Sequence, residues 1–397
     1  MYPLLDGIRI LDLTRLIPAA HVTQKLADLG ADVIKVETPG AGDNLRLMPP
    51  QRNGVGTAYL QLNRNKRSLT LDVRQPEGHA LFLELLATAD AVVQVSTPGA
   101  FARIGLDYES LRAHKPDLVY TELSAFGQTG PWRDMPAHGY NMMAVAGNLA
   151  VEWDADGRPQ LGPDDGMKRE AGILWGTAAL ATLAALIQKL RTGRGQYIDA
   201  SFWDESVAES FARAEVLDGA PSVMKTFDAR NAPRYNVYAT ADGGVLFVGV
   251  LERPFWERFC QVVGHEEWIP RARFDLPIDN GAYDPELRDL IQDVLATRDR
   301  DDWVARFVAA GVPVSPVVTT DEELLSSEHL VAREMVATAT HPVYGPVSSF
   351  RPPFRLPGTD FVVRHPPPLL GDHTADILHE LGRSAAELED LRARGIV

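Results

Sequence analysis

Short apolar runs typical of strands alternate with amphipathic runs typical of helices through the first third of the chain. The strand-like runs lie at residues 8–13, 33–36, 69–73, 91–95 and 118–123, and a later one lies at residues 196–200. Helix-like patterns at residues 22–29 and 76–89 separate some of these runs. Strands that alternate with helices form parallel sheets covered by helices. We therefore predict an α/β fold with a Rossmann-like first domain.

The pattern changes from about residue 219 onward. Two strand-like runs flank Ala-Asp-Gly-Gly at residues 241–244, which is typical of a β-hairpin with a glycine-bearing turn. Helical patterns follow, and a proline-rich stretch after residue 330 predicts extended chain before a short helical end. We therefore predict a large Rossmann-like domain over residues 1–218, a small α/β domain over 219–330 and a C-terminal segment over 331–397.

The charge and cysteine content restrict the partners and the compartment. A formal net charge of -15 repels nucleic acids and anionic membranes, so a polyanionic ligand needs a local basic site. The most apolar stretch, residues 173–187, is short for a membrane span and rich in small residues, so we expect a buried helix. One cysteine, Cys260, excludes an intramolecular disulfide, and no Cys/His spacing indicates a metal site. We predict a cytoplasmic protein without nucleic-acid or membrane partners.

The segment after the first strand argues against a nicotinamide dinucleotide. Glu37 closes the second strand, where dinucleotide-binding proteins place an acid that binds ribose. Residues 14–20 (TRLIPAA), however, lack the glycines that let backbone amides approach a pyrophosphate. The sequence also contains no P-loop, no G-x-S-x-G elbow and no H-E-x-x-H helix.

A dense basic run stands out in this acidic chain. Its residues are Asn63, Arg64, Asn65, Lys66 and Arg67, and they lead into a strand-like run. Lysine and arginine are the side chains that satisfy clustered anionic oxygens, so Lys66, Arg67 and Arg15 are candidate phosphate ligands. The alternative is a solvated turn.

Several separated segments resemble family III CoA-transferases and the related α-methylacyl-CoA racemases in order and spacing, across essentially the whole chain. The segments are residues 5–15 (LDGIRILDLTR), 26–37 (LADLGADVIKVE), 63–72 (NRNKRSLTLD), 124–131 (SAFGQTGP), 192–199 (TGRGQYID) and 370–373 (LGDH). The resemblance implies a large domain built from both ends of the chain and a homodimer whose subunits thread through each other like linked rings. It also implies coenzyme A as substrate and product, bound on the large domain, with no further cofactor and no metal.

The resemblance to the transferases implies a catalytic carboxylate near the start of the small-residue helix. There an aspartate attacks the acyl-CoA thioester and gives a mixed anhydride and a CoA thiolate. Glu170 falls on that position here, and Asp165 in the PDDG motif is the competing carboxylate. The alternative role for Glu170 is a favourable acid in the first turn of a helix.

The resemblance to the racemases implies a histidine and an acid that act as a two-base pair on the α-carbon. His138, between Ala137 and Gly139, falls on the racemase histidine, and Glu252 falls where the racemases keep an acid. Histidine suits proton abstraction because its ordinary pKa lies near neutrality. The alternative is a surface histidine in a loop.

The remaining ligand candidates lie within or close to these motifs. They are Asn63, Arg64, Gly127, Gly130, Ala137 and Gly139. Gly127 and Gly130 could bring backbone N–H groups close to a thioester carbonyl, or they could simply form a turn. Thr97 departs from the resemblance, because the family usually has an arginine before that Pro-Gly pair.

We predict a CoA-transferase that moves CoA from an acyl-CoA to a carboxylic acid, because residues 59–68 resemble the transferases more closely than the racemases. One alternative is an α-methylacyl-CoA racemase that uses His138 and Glu170. A second is a CoA-binding dimer without catalytic activity, since fold alone does not determine function.

Overall fold

The computed structural model describes residues 1–162, 176–208, 217, 219, 232–272, 274 and 284–397. Contacts divide the chain into two compact units, one formed by Met1–Ser210 with Glu334–Val397 and the other by Phe211–Arg333. The predicted domain limits at residues 218 and 330 stay a prediction.

The strands and helices of the described residues are as follows. The strands are β1 (Arg9–Leu13), β2 (Asp32–Glu37), β3 (Gln51–Arg52), β4 (Val55–Gly56), β5 (Lys66–Thr70), β6 (Ala91–Val95), β7 (Val119–Ser124), β8 (Val151–Trp153), β9 (Pro159–Leu161), β10 (Gln196–Ser201), β11 (Tyr235–Ala239), β12 (Val245–Gly249), β13 (Val314–Pro316), β14 (Val336–His341) and β15 (Gly345–Phe350). The α-helices are α1 (Leu16–Asp28), α2 (Thr57–Leu62), α3 (Pro76–Ala87), α4 (Tyr108–Arg112), α5 (Gly139–Val145), α6 (Thr177–Thr192), α7 (Phe202–Ala208), α8 (Arg253–Val263), α9 (Pro285–Leu295), α10 (Arg300–Ala309), α11 (Asp321–Leu325), α12 (Glu328–Ala332), α13 (Thr374–Glu380) and α14 (Ala385–Ala393).

A parallel sheet is the centre of the first unit. In the part of the chain that the structure describes it has six strands in the order β10-β7-β6-β1-β2-β5. Numbered by their occurrence along the chain, these strands lie in the order 6-5-4-1-2-3, which is the Rossmann order read from the opposite edge. The predicted α/β class and the Rossmann-like sheet are confirmed.

Helices cover both faces of this sheet. On one face Phe82 of α3, Ile377 of α13 and Leu391 of α14 pack against the apolar side chains of the strands. On the other face Val22 of α1 and Leu186 of α6 form a second cluster. Because both faces are buried, most side chains of the central strands are apolar, which explains why the sequence indicates these strands clearly.

One predicted strand begins earlier in the structure than in the sequence pattern. The run at residues 69–73 predicted the third parallel strand, whereas β5 spans Lys66–Thr70 and includes the end of the basic run. The side chain of Lys66 is fully buried, and its Nζ atom lies 3.0 Å from Oδ2 of Asp12 on β1. A charged residue can lie inside a sheet only when it is paired with an opposite charge. A pattern of apolar residues cannot indicate such a pair, so it did not include Lys66 in the strand.

Further oxygen atoms complete the surroundings of Lys66. Thr23 Oγ1 at 2.8 Å, the Ala20 carbonyl at 3.0 Å and Asn63 Oδ1 at 3.0 Å also lie within hydrogen-bond distance of its Nζ atom, whose three N–H groups are shared among these oxygens and Asp12. Burial alone would raise the pKa of Asp12, but the ammonium groups of Lys66 and Lys35 outweigh this effect and hold the pKa at about 2. The pair therefore joins β1, α1 and β5 as a charged, hydrogen-bonded group.

The long small-residue helix is buried on one side only. Ala178, Thr182 and Ala185 of α6 are buried against the sheet, but Leu180 is 64% exposed and Leu190 is 71% exposed. The expectation of a buried helix is therefore wrong for this outer face. Gly193 ends α6 with a φ of +70°, a left-handed conformation that glycine adopts without strain.

The second unit contains the predicted hairpin. Strands β11 and β12 pair antiparallel, and β13 adds to β12. Trp256 and Phe259 of α8 stack on each other at 5.5 Å between ring centroids, and Phe259 stacks on Phe307 of α10 at 5.2 Å. The predicted hairpin and the helical patterns after it are confirmed.

The segment after residue 333 belongs to the first unit. The extended stretch predicted there includes a two-stranded sheet, β14 and β15, that the proline content did not indicate. Glu380 of α13 pairs with Arg67 at 2.6 Å and with Arg9 at 2.8 Å, so the C-terminal helix is tied to the sheet by ion pairs.

No helix among the described residues is long and apolar enough to cross a membrane. Within the same residues, no group of three or more His, Cys, Asp or Glu side chains is arranged to hold a metal ion. Cys260 is a buried, free cysteine. The cytoplasmic location and the lack of a cofactor other than CoA stay predictions.

We predict that Lys66→Met lowers the free energy of unfolding by about 3–5 kcal/mol, because it leaves the carboxylate of Asp12 buried without its main partner. Urea denaturation followed by tryptophan fluorescence measures the change. The control is Arg112→Gln, which removes an exposed cation paired with Glu109 and should change stability by at most about 0.5 kcal/mol. Equal stability of Lys66→Met and the unaltered protein would contradict the structural role of this pair.

Candidate functional site

The strand order of the sheet places a topological switch point between β1 and β6. From β1 the chain proceeds to β2 and β5 on one side, and from β6 it proceeds to β7 and β10 on the other. Connections that leave neighbouring strands in opposite directions open a crevice beyond their carboxyl ends, where open α/β sheets bind ligands.

A cavity of about 340 Å³ lies at this switch point. It is lined by residues that follow β1, β6 and β7, by the start of α5 and by Phe202. Most of the wall is apolar, including Leu16, Val95 and Met142, and its basic side chains are those of Arg15, Arg133 and His138. An apolar pocket with a few convergent polar groups is the usual form of a small-molecule site.

A second, larger cavity of about 450 Å³ shares no lining residue with the first. It is lined by the later turns of α1, by α6 and by residues 350–354. Because it lies away from the carboxyl ends of β1, β6 and β7, we assign the functional site to the switch-point cavity.

The turn that enters the cavity from β1 has a strained backbone. Leu16 has a φ of +63°, which is unfavourable for a residue with a side chain. Its N–H donates to Oδ1 of Asp43 at 3.2 Å, and Oδ2 of Asp43 pairs with Lys35 at 2.9 Å. Burial opposes ionisation of Asp43, but Lys35 outweighs it and keeps the pKa of this carboxyl below its usual value. A buried ion pair thus holds the strained turn in place.

Side chains on β7 and β10 hold the glycine loop at residues 127–130. The N–H of Gly127 donates to Ser124 Oγ, and the N–H of Gln128 donates to Asp199 Oδ2, both at 3.0 Å. Gly127 has a φ of +83°, so this turn needs a glycine. The N–H of Gly127 already has an acceptor within the protein, so this hydrogen bond stabilises the turn. An oxyanion-binding role for Gly127 or Gly130 stays a prediction.

The strand that leads into this loop, β7, carries a buried acid. Glu122 accepts a hydrogen bond from Tyr197 Oη at 2.9 Å. Burial raises the pKa of Glu122, and the charge of Asp199 adds to the effect. These two carboxylates on adjacent strands therefore influence each other electrostatically.

The segment after this loop brings His138 to the cavity together with its two neighbours. Ala137, His138 and Gly139 all line the wall, and His138 is exposed at the N-terminus of α5. The amide oxygen of Asn141 accepts the backbone N–H of His138 at 2.9 Å, which fixes the start of the helix. Arg15 is exposed on the same wall. The structure thus brings together Arg15 and the predicted group at residues 137–139.

The basic run lies elsewhere, in ion pairs within the fold. Arg64 donates to both carboxylate oxygens of Asp28, at 3.0 and 2.5 Å. Arg67 donates to both carboxylate oxygens of Asp32, at 2.8 and 2.6 Å. A ligand could reach Lys66 only if its buried hydrogen-bond network opened. Phosphate binding by this run stays a prediction.

The amides of this run and the acid of the dinucleotide pattern also have partners within the fold. Asn63 is fully buried, and its Oδ1 accepts from Lys66. Glu37 accepts from Nε of Arg46 at 2.9 Å and from Ser68 Oγ at 2.7 Å. The carboxylate of Glu37 is therefore paired with a buried arginine. This pairing agrees with the absence of the glycine motif that dinucleotide-binding proteins have after the first strand.

None of the predicted carboxylates is among the described residues that line the cavity. Glu170 and Asp165 lie outside the described residues. Glu252 lies in the second unit, where its backbone carbonyl accepts from Phe255 and Trp256 at the start of α8. The roles predicted for these acids stay predictions.

The sequence pattern missed functional candidates that only the fold brings to the cavity. Arg133 lines the wall, and Asp199 and Ser124 hold the loop before it. The only signal in the sequence was their place within or near the SAFGQTGP and TGRGQYID motifs. No local pattern indicated that these two motifs lie on adjacent strands.

Comparison with known proteins identifies the family to which this site belongs. The model of CoA-transferase family III matches residues 5–374. The chain is 31% identical to succinyl-CoA:glutarate CoA-transferase of Mus musculus, over 99% of this chain and 90% of that protein. It is 33% identical to succinyl-CoA–D-citramalate CoA-transferase of Chloroflexus aurantiacus, over 99% and 98%. A crystal structure of a CaiB/BaiF family protein from Brucella suis superposes with a TM-score of 0.77 at 29% identity, over 95% and 99%.

We predict that Asp199→Ala speeds hydrogen exchange at the Gln128 amide about tenfold or more, because this N–H loses its acceptor and the loop opens more often. Hydrogen exchange followed by mass spectrometry on peptides that cover residues 125–132 measures the effect. Glu109→Ala is the control, since Glu109 is an exposed acid on α4 that pairs with Arg112. Unchanged exchange in Asp199→Ala would show that other contacts hold the loop.

Proposed function

Because the chain belongs to CoA-transferase family III, it transfers CoA from an acyl-CoA to a carboxylic acid, and we propose that it does so through an acyl anhydride on Glu170. The observation that carries the proposal is the cavity at the switch point, which has an apolar wall, His138 and exposed Arg15. Such a wall suits the pantetheine and acyl parts of the substrate, and the guanidinium group of Arg15 suits its anionic groups.

In the proposed first step, a carboxylate oxygen of Glu170 forms a bond to the thioester carbonyl carbon. The carbon–sulfur bond breaks, and its electron pair leaves on sulfur as the CoA thiolate. The CoA thiolate then attacks the Glu170 carbonyl carbon of the anhydride, so that the donor leaves as a free carboxylate and CoA is held on Glu170 as a thioester. The acceptor carboxylate attacks this thioester, which releases the thiolate and forms a second anhydride. Attack of the thiolate on the acceptor acyl carbon gives the new acyl-CoA and restores the carboxylate of Glu170. Dividing the exchange in this way replaces one difficult reaction by easier acyl transfers.

We propose that the substrate lies across the switch-point cavity, with Ala137, His138 and Gly139 beside the thioester end and Arg15 beside a phosphate. The exposed guanidinium of Arg15 supports this orientation, because arginine binds phosphate oxygens in pairs. Glycine and alanine on either side of His138 leave room for a ligand next to the backbone.

The relatives support a dicarboxylic acid as the acceptor. Their names specify glutarate and D-citramalate as acceptors and succinyl-CoA as the donor. We propose the same substrate class for this chain. A panel with succinyl-CoA as donor should show faster transfer to dicarboxylic acids than to monocarboxylic acids of equal length, and equal rates for both would contradict this assignment.

We predict that Glu170→Gln lowers kcat of CoA transfer by a factor of about 1,000 or more, because the amide cannot form the anhydride. The unaltered enzyme incubated with an acyl-CoA should also be inactivated by hydroxylamine, which attacks the anhydride, and the variant should not respond. Asp165→Asn is the control for the competing carboxylate. Full activity in Glu170→Gln together with loss in Asp165→Asn would move the nucleophile to Asp165.

The same preparation tests the racemase alternative. Incubation with a 2-methylacyl-CoA in deuterated water, without acceptor, should leave the α-hydrogen in place if the enzyme only transfers CoA. Exchange that disappears in His138→Gln would instead establish a two-base reaction. If the protein shows no exchange of the α-hydrogen and no transfer of CoA to any acid, it is a CoA-binding protein without catalytic activity.

We also propose that the chain forms a homodimer. The outer face of α6 supports it, because Leu180, Ile187 and Leu190 lie on one side of this helix and are each at least 49% exposed. We expect light scattering to give twice the mass of one chain. The double variant Leu180→Asp and Leu190→Asp should shift the mass toward that of one chain, whereas Val308→Asp, at a similarly exposed apolar position on α10, should not. A monomeric unaltered protein would disprove the dimer.

A further inference from the structure

Three polar side chains form a row across the parallel sheet, near the carboxyl ends of its strands. Gln94 on β6 is the register partner of Glu122 on β7, and Glu122 is the register partner of Asp199 on β10. The backbones of adjacent strands lie about 4.8 Å apart, so side chains at facing positions are neighbours. Two of these three side chains are acids, although most residues of β6 and β7 are apolar.

The middle member of the row, Glu122, is buried and held in place. The residue is 8% exposed, and its Oε2 atom accepts a hydrogen bond from Tyr197 Oη at 2.9 Å. The ring of Tyr197 lies 5.2 Å from the ring of Tyr108 and 6.2 Å from that of Tyr120, measured between centroids. Packing among three aromatic rings therefore fixes the hydroxyl group that binds Glu122.

The titratable groups that face Glu122 in the described ranges are acids and phenols from β7, β10 and the N-cap of α4. They are Asp107, Tyr120, Tyr197 and Asp199. Within these ranges no cation forms an ion pair with Glu122. Burial raises the pKa of Glu122, and the charges of Asp199 and Asp107 add to this effect, while hydrogen bonds from neighbouring side chains oppose it. The surroundings therefore favour the protonated, neutral form of Glu122.

The outer member of the row, Asp199, holds the glycine loop at residues 127–130. Its Oδ2 atom accepts the N–H of Gln128 at 3.0 Å, and the carbonyl of Gln128 accepts Nε of Arg133 at 2.9 Å. A Cβ atom built on Gly127 would lie 3.7 Å from the same Oδ2 atom, so the loop packs directly on this carboxylate. Asp199 thus joins the row to the loop and, through the loop, to an arginine on the wall of the switch-point cavity.

We propose that Glu122 is a positioning residue, which in its neutral form allows the carboxylate of Asp199 to hold the glycine loop against β10. An ionised Glu122 places a second negative charge opposite Asp199, and like charges at facing positions of adjacent strands repel each other. Asp199 is exposed, so it relieves this repulsion by turning toward solvent and releasing the N–H of Gln128. A rise in pH that ionises Glu122 therefore loosens the loop. Only the consequence for catalysis rests on the proposed function.

Hydrogen exchange on peptides that cover residues 125–132, compared at about pH 5 and about pH 8, tests the inference without any substrate. After correction for the intrinsic pH dependence of exchange, protection in the unaltered protein should fall about two- to fivefold between these two conditions. Glu122→Gln is neutral at both, so its protection should stay constant and equal that of the unaltered protein at the lower pH. The same fall in both proteins would overturn the role of Glu122.

Two further variants separate the role of Glu122 from other effects of pH. Glu109→Gln removes an equal charge from an exposed acid on α4, so it should keep the pH dependence of the unaltered protein. Asp199→Asn keeps an oxygen that accepts from Gln128 but removes the charge opposite Glu122, so its loop should be protected equally at both pH values. A fall in its protection at the higher pH would show that Glu122 does not act through Asp199. Circular dichroism checks that each variant folds, and Asp199→Asn decides the inference if Glu122→Gln does not.

Enzyme kinetics give a second measurement. Between the two pH values, the ratio of KM for an acyl-CoA in the unaltered enzyme to KM in Glu122→Gln should rise about two- to fivefold, because the loosened loop no longer positions the cavity wall. The corresponding ratio of kcat values should stay constant. A constant KM ratio in an active enzyme would contradict the positioning role. If the protein transfers no CoA, the proposed function fails, and the hydrogen-exchange result still decides whether Glu122 controls the loop.

Discussion

The buried ion pair between Asp12 and Lys66 is the interaction on which the sheet and its site depend. It joins the central strand β1 to the edge strand β5, and through Thr23 it includes helix α1. Desolvation of two charges costs more than their attraction returns unless the remaining hydrogen-bonding capacity is satisfied. Oxygen atoms of Thr23, Ala20 and Asn63 accept hydrogen bonds from the ammonium group of Lys66 and so meet this requirement.

The same group of charges extends to the entrance of the cavity. Lys35 contributes to the low pKa of Asp12 and pairs with Asp43, and Asp43 holds the strained backbone of Leu16. The buried charges of β1, β2 and β5 therefore set the geometry of the turn after β1. Strain at a functional site persists only when the structure around it is rigid, and this network supplies the rigidity.

The fold was predictable to the extent that it rests on local patterns. The run at residues 91–95 matches β6, and the run at residues 118–123 matches β7 within one residue. Both strands are buried on two faces, so apolar residues dominate their sequences. The third parallel strand was misplaced because its first residues are charged, and an apolar pattern cannot indicate a lysine that is buried by its pairing with Asp12.

The site was less predictable because it is assembled from distant segments. The sequence identified the segment at residues 137–139 and Arg15, and the structure brings them to one cavity. It also favoured the basic run as a ligand site, since charge density is visible in a sequence and pairing is not. Arg133 was missed because the loop that positions it is held by Asp199, which lies on a different strand.

The sequence by itself determined the α/β class, the positions of most strands and the family, because hydrophobic periodicity and ordered motifs are properties of the chain read along its length. Only the tertiary structure decided which cations are used inside the fold and which face a cavity. The reason is physical: a charge next to an opposite charge is neutralised and one next to open space is available, and those neighbours come from strands far apart in the sequence.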